Sequence, residues 1–390
     1  MQGKNRALGR RPVLAGLAGL AGAFAATACG PEGDVRPPAA EAAGGPSAPV
    51  AHQPGVVTPP PSAAELAAYR VTGGDRAALA EVLRLLGTEA ARTGLGESIT
   101  VSAGASLFDG RFGLAAVRPR RLTAMPAFPS DVLDPAWCHG DLAVQVCAAS
   151  PERAAELAGR VAGAGGLEQV WRMPGFRQGN EIGRGGRAFA TNLFGFREGA
   201  GNLEAEDTAL MDRQVWVRAG SDEPAWTAGG SYQVVRLIRF AMPLWDADAV
   251  PKQEAVFGRR KDSAAPLGGA RETDVPDYAN DPDGRIISLD SHIRRADPRT
   301  PGSEAHRILR RSYSYRLPPD AAGHENAGLV FVCYQNDLEQ GFATIQRRLA
   351  GEALERYVLP FGGGYYYTLP GVTPGGDDHL GHALLAAATP

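Results

Sequence analysis

Two stretches decide the fold: Gly140-Asp-Leu-Ala-Val-Gln-Val-Cys-Ala148 and Gly328-Leu-Val-Phe-Val-Cys-Tyr334. Each is a short apolar run that opens on glycine and contains a Val-Cys pair. Each then leads through a few polar residues into an amphipathic helical pattern, from Pro151 to Val161 in the first case and from Leu338 to Leu349 in the second. Runs of this length bounded by turn residues read as strands. Pro151 suits the first turn of a helix, where the N–H that proline lacks has no intrahelical partner. One strand–turn–helix unit met twice is a weak internal repeat. It predicts an α+β protein of two similar halves, divided between Asn202 and Gly230, each an antiparallel sheet with helices on one face.

Working outward, the pattern predicts a helix over Ser62 to Ala68 and another from Asp75 to Leu86, with Leu79, Val82, Leu83 and Leu86 on one face. Ile99 to Ser102 and the alternating run Tyr232 to Phe240 read as strands. The halves are then 63–215 and 216–390.

The first residues do not read as fold. Lys4, Arg6, Arg10 and Arg11 precede an uncharged run from Pro12 to Ala28. That run is shorter than the roughly 20 residues of a membrane span and has the length of a signal-peptide core. Arg10-Arg11 directly before it is a twin-arginine signature, which points to export in the folded state; a Sec signal with two incidental arginines is the alternative. Ala26-Thr27-Ala28-Cys29 resembles a lipoprotein cleavage box, with Ala26 where leucine is usual. Residues 1–29 are thus expected to be a signal peptide. Lipid on Cys29 would tether the chain to a membrane in the periplasm or elsewhere outside the cytoplasm. Residues 30–62, rich in Pro, Ala and Gly, read as a flexible tether.

The formal net charge of -3 shows no basic excess, so nucleic acid is not an expected partner. Hydrophobic residues at 44% and charged residues at 21% fit a soluble globular protein. Cys138, Cys147 and Cys333 are too few and too scattered for a disulfide framework; Cys147 and Cys333, inside apolar runs, read as buried thiols, and Cys138-His139 is too sparse for a metal site. Gly-x-Ser-x-Gly and Gly-x-x-x-x-Gly-Lys are absent, which argues against a hydrolase of that type and a phosphate loop. Asp377-Asp378-His379-x-x-His382 reads as structural.

Three segments carry chemistry-bearing residues. Asn192-Leu-Phe-Gly-Phe-Arg-Glu-Gly-Ala-Gly-Asn202 places Gly195, Gly199 and Gly201 around Glu198, a loop that lets backbone approach a flat ligand with a carboxylate at its tip. Taken alone, an ordinary glycine-rich turn explains it as well. Asp290-Ser-His-Ile-Arg-Arg-Ala-Asp-Pro-Arg299 sets His292 among arginines, which would lower its pKa and favour the neutral, metal-binding ring. Those arginines could also pair with carboxylates on a ligand; a surface histidine is the bland alternative. Arg307-Ile-Leu-Arg-Arg311 precedes the aromatic Tyr313-Ser-Tyr315 and reads either as a pocket cation or as a solvated helix face.

Together the three segments resemble the dye-decolourising peroxidases. Gly195-Phe-Arg-Glu-Gly199 is similar to that family's Gly-x-x-Asp-Gly motif. Ser291 to Arg299 is similar to its proximal-histidine segment, and Arg307 to Arg311 to its distal-arginine segment. Ser106-Leu-Phe-Asp-Gly-Arg-Phe-Gly113, Pro126-Ala-Phe-Pro129, Gly258-Arg-Arg-Lys-Asp262, Leu349-Ala-Gly-Glu352 and Gly362-Gly-Gly-Tyr-Tyr366 extend the likeness over nearly the whole mature chain. The twin-arginine signal matches the exported subgroup, which includes the deferrochelatases.

The resemblance implies two ferredoxin-like halves of the dimeric α/β-barrel type, with one haem b held mainly by the second half. No Cys-x-x-Cys-His occurs, so covalent c-type attachment is excluded. His292 would be the iron ligand, Glu198 the distal acid/base and Arg310 the distal arginine. Gly199, Ala200 and Gly201 would pass over the haem, and Asp297, Pro298 and Arg299 would lie beside it. The substrates would be hydrogen peroxide and a small-molecule electron donor, dye-like or phenolic, with Tyr313, Tyr315 and Trp245 as candidate surface relays. A haem-binding or iron-acquisition lipoprotein with weak turnover is the alternative. The oligomeric state stays open, a homo-oligomer included. One departure stands out: Glu198 replaces the family's aspartate and moves the carboxylate by about 1 Å, a displacement that can cost roughly 100-fold in rate.

Overall fold

The computed structural model describes residues 51–182, 188–373 and 378–388. Arg10-Arg11, Cys29, most of the expected tether and Asp377 lie outside the described residues. The first half runs β1 (Ala63–Val71), α1 (Arg76–Ala91), β2 (Ser98–Gly104), β3 (Leu142–Ala148), α2 (Pro151–Ala162) and β4 (Leu167–Phe176). A small antiparallel sheet follows, made of β5 (Gln178–Ile182), β6 (Ala188–Thr191) and β7 (Arg197–Glu198), and then α3 (Thr208–Gln214). The second half begins with β8 (Ser231–Phe240), α4 (Met242–Asp246), α5 (Val250–Phe257) and α6 (His292–Ala296). It continues through β9 (Leu309–Arg310), β10 (Tyr313–Leu317), β11 (Asn326–Gln335), α7 (Thr344–Leu349) and β12 (Val358–Thr368), with α8 (His382–Ala387) last.

The strand orders carry the repeat. The first half is arranged β4-β1-β3-β2 and the second β12-β8-β11-β10, all antiparallel. In each, the first and third strands are central, as in a ferredoxin-like unit. Two seams join the halves. Tyr366 to Thr368 of β12 pair with Gly104 to Ser102 of β2, and Ser314 of β10 pairs with Phe176 of β4. The eight strands close into a barrel, which leaves neither half a bare edge.

Alternation along each strand sorts the core. Leu66, Ala143, Cys147, Val235, Val332, Tyr334 and Tyr366 pack together inside the barrel. On the outer face of the first half, Val101, Leu142, Val144 and Val146 pack against Leu79, Val82, Leu83 and Leu86 of α1 and Leu157 and Val161 of α2. These are the α1 residues expected from the sequence, and Asp75 caps the helix by accepting the Ala78 N–H at 2.8 Å. The two Val-Cys pairs are equivalent in strand but not in register. Cys147 faces the barrel interior and Cys333 the outer core, because a one-residue offset reverses the face. All three described cysteines are free and buried.

Two expectations fail. Ser62 to Ala68 is not a helix: it forms most of β1, a central strand whose residues are buried with the exception of Arg70. Its alanines and Leu66 carry helix propensity, but strands on both sides claim the backbone, and tertiary pairing overrides intrinsic preference. Nor does the free tether reach Ser62. Gln53 is buried, donates to the Val101 and Leu369 carbonyls at 2.8 and 2.9 Å, and accepts the Val101 N–H at 2.8 Å. His52 stacks on Trp216 with ring centroids 4.0 Å apart. Among the described residues no helix is long and apolar enough to cross a membrane.

Candidate functional site

The outer face of the second half is where the fold leaves room. In the first half the helices α1 and α2 cover this face. In the second the helices are short, and Ile238 and Phe240 of β8 with Leu329 and Phe331 of β11 instead line a cavity of about 300 Å³. Phe194, Phe196, Phe257 and Leu354 extend its apolar wall, and His292, Glu198, Arg310, Arg259 and Arg299 supply its polar groups. A largely apolar cavity with a few convergent polar groups is the usual form of a cofactor site.

Glu198 enters from β7, at the base of the glycine-rich loop. Gly195, Gly199 and Gly201 all have positive φ, at 84°, 101° and 68°. At Gly199 a Cβ would come within 2.4 Å of the Ala188 carbonyl oxygen, so a side chain there would push the loop off its neighbour. Two asparagines at the ends of the quoted loop fix it. Asn192 donates from Nδ2 to Glu198 Oε1 at 2.8 Å and accepts the Phe196 N–H on Oδ1 at 3.0 Å. Asn202 accepts the Arg310 N–H at 2.9 Å and donates to the Arg310 carbonyl at 2.8 Å, which pins β9 to the loop. The Arg310 side chain completes the tie, donating from Nη2 to the Ala200 carbonyl at 2.7 Å.

His292 is the first residue of α6. The preceding loop is gathered by Asp281, whose carboxylate accepts the N–H groups of Arg285, Ile286 and Ile287 and pairs with Arg294 at 3.1 Å. Arg294 also donates to the Ile287 carbonyl, and Arg295 to the Ala350 carbonyl. These two arginines brace the helix and do not serve as free ligand-binding cations. Nor do they leave the imidazole poorly basic, as expected. Burial does push the His292 pKa down, but the buried Glu352 carboxylate, 2.7 Å from Nδ1, outweighs it and the net direction is upward. Glu352 is the site's main surprise. It stood in the quoted Leu349-Ala-Gly-Glu352, but a lone acid sixty positions from the histidine carries no local signal.

The other expected residues divide. Ala200, Gly201, Asp297 and Arg299 line the large cavity, while Gly199 lines a smaller one behind it and Pro298 lines neither. Arg299 pairs with Asp297 at 3.1 Å. The candidate surface relays are not at the surface: Tyr313, Tyr315 and Trp245 are all buried, because the barrel interior and the aromatic cluster around Phe194 enclose them.

The Dyp-type peroxidase N-terminal model matches residues 53–177, and the Dyp-type peroxidase C-terminal model matches residues 190–373. A deferrochelatase from Shigella flexneri serotype 5b (strain 8401) is 44% identical over 363 residues, covering 86% of each chain. The crystal structure of a DyP-type peroxidase from Cellulomonas bogoriensis superposes with a TM-score of 0.76 at 34% identity, covering 86% of this chain and 96% of that one. Ferric DtpA from Streptomyces lividans gives a TM-score of 0.76 at 32% identity, covering 86% and 95%.

Proposed function

The chain belongs to the Dyp-type peroxidase family and is a haem peroxidase, and from that premise we propose that His292 would ligate the haem iron, with Glu198 as the acid/base and Arg310 as the charge-stabilising cation. The residues present fit haem. Two imidazoles line the cavity, His292 against Glu352 and His306 against the Gln340 carbonyl, and among the described residues no group of three or more His, Cys, Asp or Glu side chains could hold a metal unaided. A single protein ligand suits a metal whose other ligands come from a macrocycle. Apolar walls suit its faces, and Arg259 and Arg299 are placed to meet its carboxylates.

Haem, when bound, supplies the iron on which peroxide is cleaved and the oxidising equivalents that a donor then reduces. The protein's part is to place charge and protons. Nδ1 of His292 donates to Glu352, which fixes the ring and leaves Nε2 for the metal. Asn192 occupies Oε1 of Glu198, so Oε2 would be the oxygen that takes a proton from one peroxide oxygen and returns it to the other. The Arg310 guanidinium would stabilise the negative charge that develops on the departing oxygen. The donors are small one-electron reductants, dye-like or phenolic.

The observation that carries this reading is the convergence of a carboxylate-bound histidine with Glu198 and Arg310 on one apolar cavity. Absorption spectra of the haem-loaded protein test it. A Soret band in wild type, lost or shifted in His292→Ala, is the expected result; a His292→Ala spectrum identical to wild type overturns the ligand assignment. Export by the twin-arginine route with lipid on Cys29 completes the reading and rests on the sequence alone. Labelled fatty acid incorporated into wild type but not Cys29→Ala is the expected result.

A further inference from the structure

Behind Glu198 lies a second, smaller cavity of about 30 Å³, lined by Glu198, Arg310, Arg177, Arg311 and Ser312. Arg310 and Arg311 are adjacent in an extended segment, so their side chains leave on opposite sides. Arg310 reaches both cavities, whereas Arg311 lines only the smaller. Arg311 is 2% exposed, and its Nε and Nη2 have no hydrogen-bond partner; only Nη1 is engaged, with the Thr58 carbonyl. Arg177, also buried, donates to Asn180 Oδ1 and to the Ser312 and Ala188 carbonyls at 2.8, 2.7 and 3.1 Å. Among the described residues neither guanidinium has a carboxylate at ion-pairing distance. Among the described residues, three arginines therefore line the cavity against the single carboxylate of Glu198.

Buried charge without a partner is costly, by several kcal/mol for one ion. Arginine cannot relieve the cost by losing its proton. A counter-charge from outside the chain can. We propose that this cavity is a binding site for a small monovalent inorganic anion of about chloride size, held by Arg311 and Arg177 behind Glu198. The volume admits one such ion or about two waters, too little for an organic carboxylate. Val56, Val57 and Thr58 of the N-terminal segment form one wall of the cavity. The site does not depend on the haem reading, since it needs only buried guanidiniums and a void.

Bromide tests it directly. Crystals of the haem-loaded protein soaked in sodium bromide should show an anomalous peak in this cavity at the bromine edge. In solution, bromide should raise the Tm saturably by roughly 2–5 °C beyond equal ionic strength of a bulky anion such as gluconate. Arg311→Gln should lose that increment. Should Arg311→Gln fail to fold, Ala205→Leu fills the cavity with both guanidiniums in place and should lose it too. No anomalous peak, water only in the cavity, or a bromide response equal to that of gluconate or retained in the variant overturns the proposal. Neither readout passes through peroxide turnover, so failure here and failure of the catalytic assignment are separable.

Discussion

Asn192 holds one oxygen of Glu198 and leaves the other to the cavity: its Nδ2 donates to Oε1 at 2.8 Å, and among the described residues Oε2 has no partner. The amide cannot turn over without losing the Phe196 N–H on its own Oδ1. Removing it in Asn192→Ala frees the carboxylate to rotate. The peroxide reaction, followed by stopped-flow at the Soret band, should slow about 10- to 100-fold. Haem occupancy should be unchanged; a parallel loss of haem would make Asn192 a purely structural residue.

The same contact bears on the extra methylene of Glu198. A carboxylate already gripped at the length of glutamate is fitted to its place. Glu198→Asp withdraws it by about 1 Å and breaks the Asn192 bond, so the rate should fall by an order of magnitude or more. A large gain would show instead that the native site is impaired relative to its aspartate relatives. Glu198→Gln, which keeps the shape and cannot carry the proton, should fall at least as far.

Glu352 acts on the haem through His292. Glu352→Gln keeps a partner for Nδ1 but removes the charge that makes the imidazole electron-rich. The Soret band should persist, haem affinity should drop about 10- to 100-fold, and the iron reduction potential should move upward. An unmoved potential would leave Glu352 as a packing residue only.

A buried carboxylate outside the cavity lining sets an acid limit on the fold. Asp141 accepts from Arg111 Nη2, Ser106 Oγ and the Val71 N–H at 2.7, 2.6 and 3.0 Å. Burial opposes its ionisation, but these donors prevail and hold its pKa below the usual 3.8. A depressed folded pKa means stability that is complete above about pH 4 and lost as pH falls through the folded value. Asp141→Asn should cost about 2 kcal/mol in urea unfolding at pH 7, and the gap to wild type should narrow as the pH is lowered below 4. A gap constant with pH would assign the loss to packing.

Much of this was legible along the chain because the signals were local. The α1 face, the Pro151 start of α2 and the paired strands β3 and β11 follow from hydrophobic period and turn chemistry, which act over a few residues. The glycine spacing around Glu198 likewise marked a loop that must take positive φ. Over Ser62 to Ala68 alanine's local preference points to a helix, and only the flanking strands make the segment a strand.

The sequence by itself determined that the chain is a doubled α+β protein with one histidine, one acid and one arginine in family-like order. Tertiary structure decided what those residues do to one another. Barrel closure, the cavity left by the short helices of the second half, the Glu352 carboxylate beside His292 and the opposed directions of Arg310 and Arg311 all depend on groups far apart in sequence. Burial, partner and charge balance are properties of what folding brings near. A residue's type fixes the chemistry it can do, and its neighbours in space fix which proton or charge it meets.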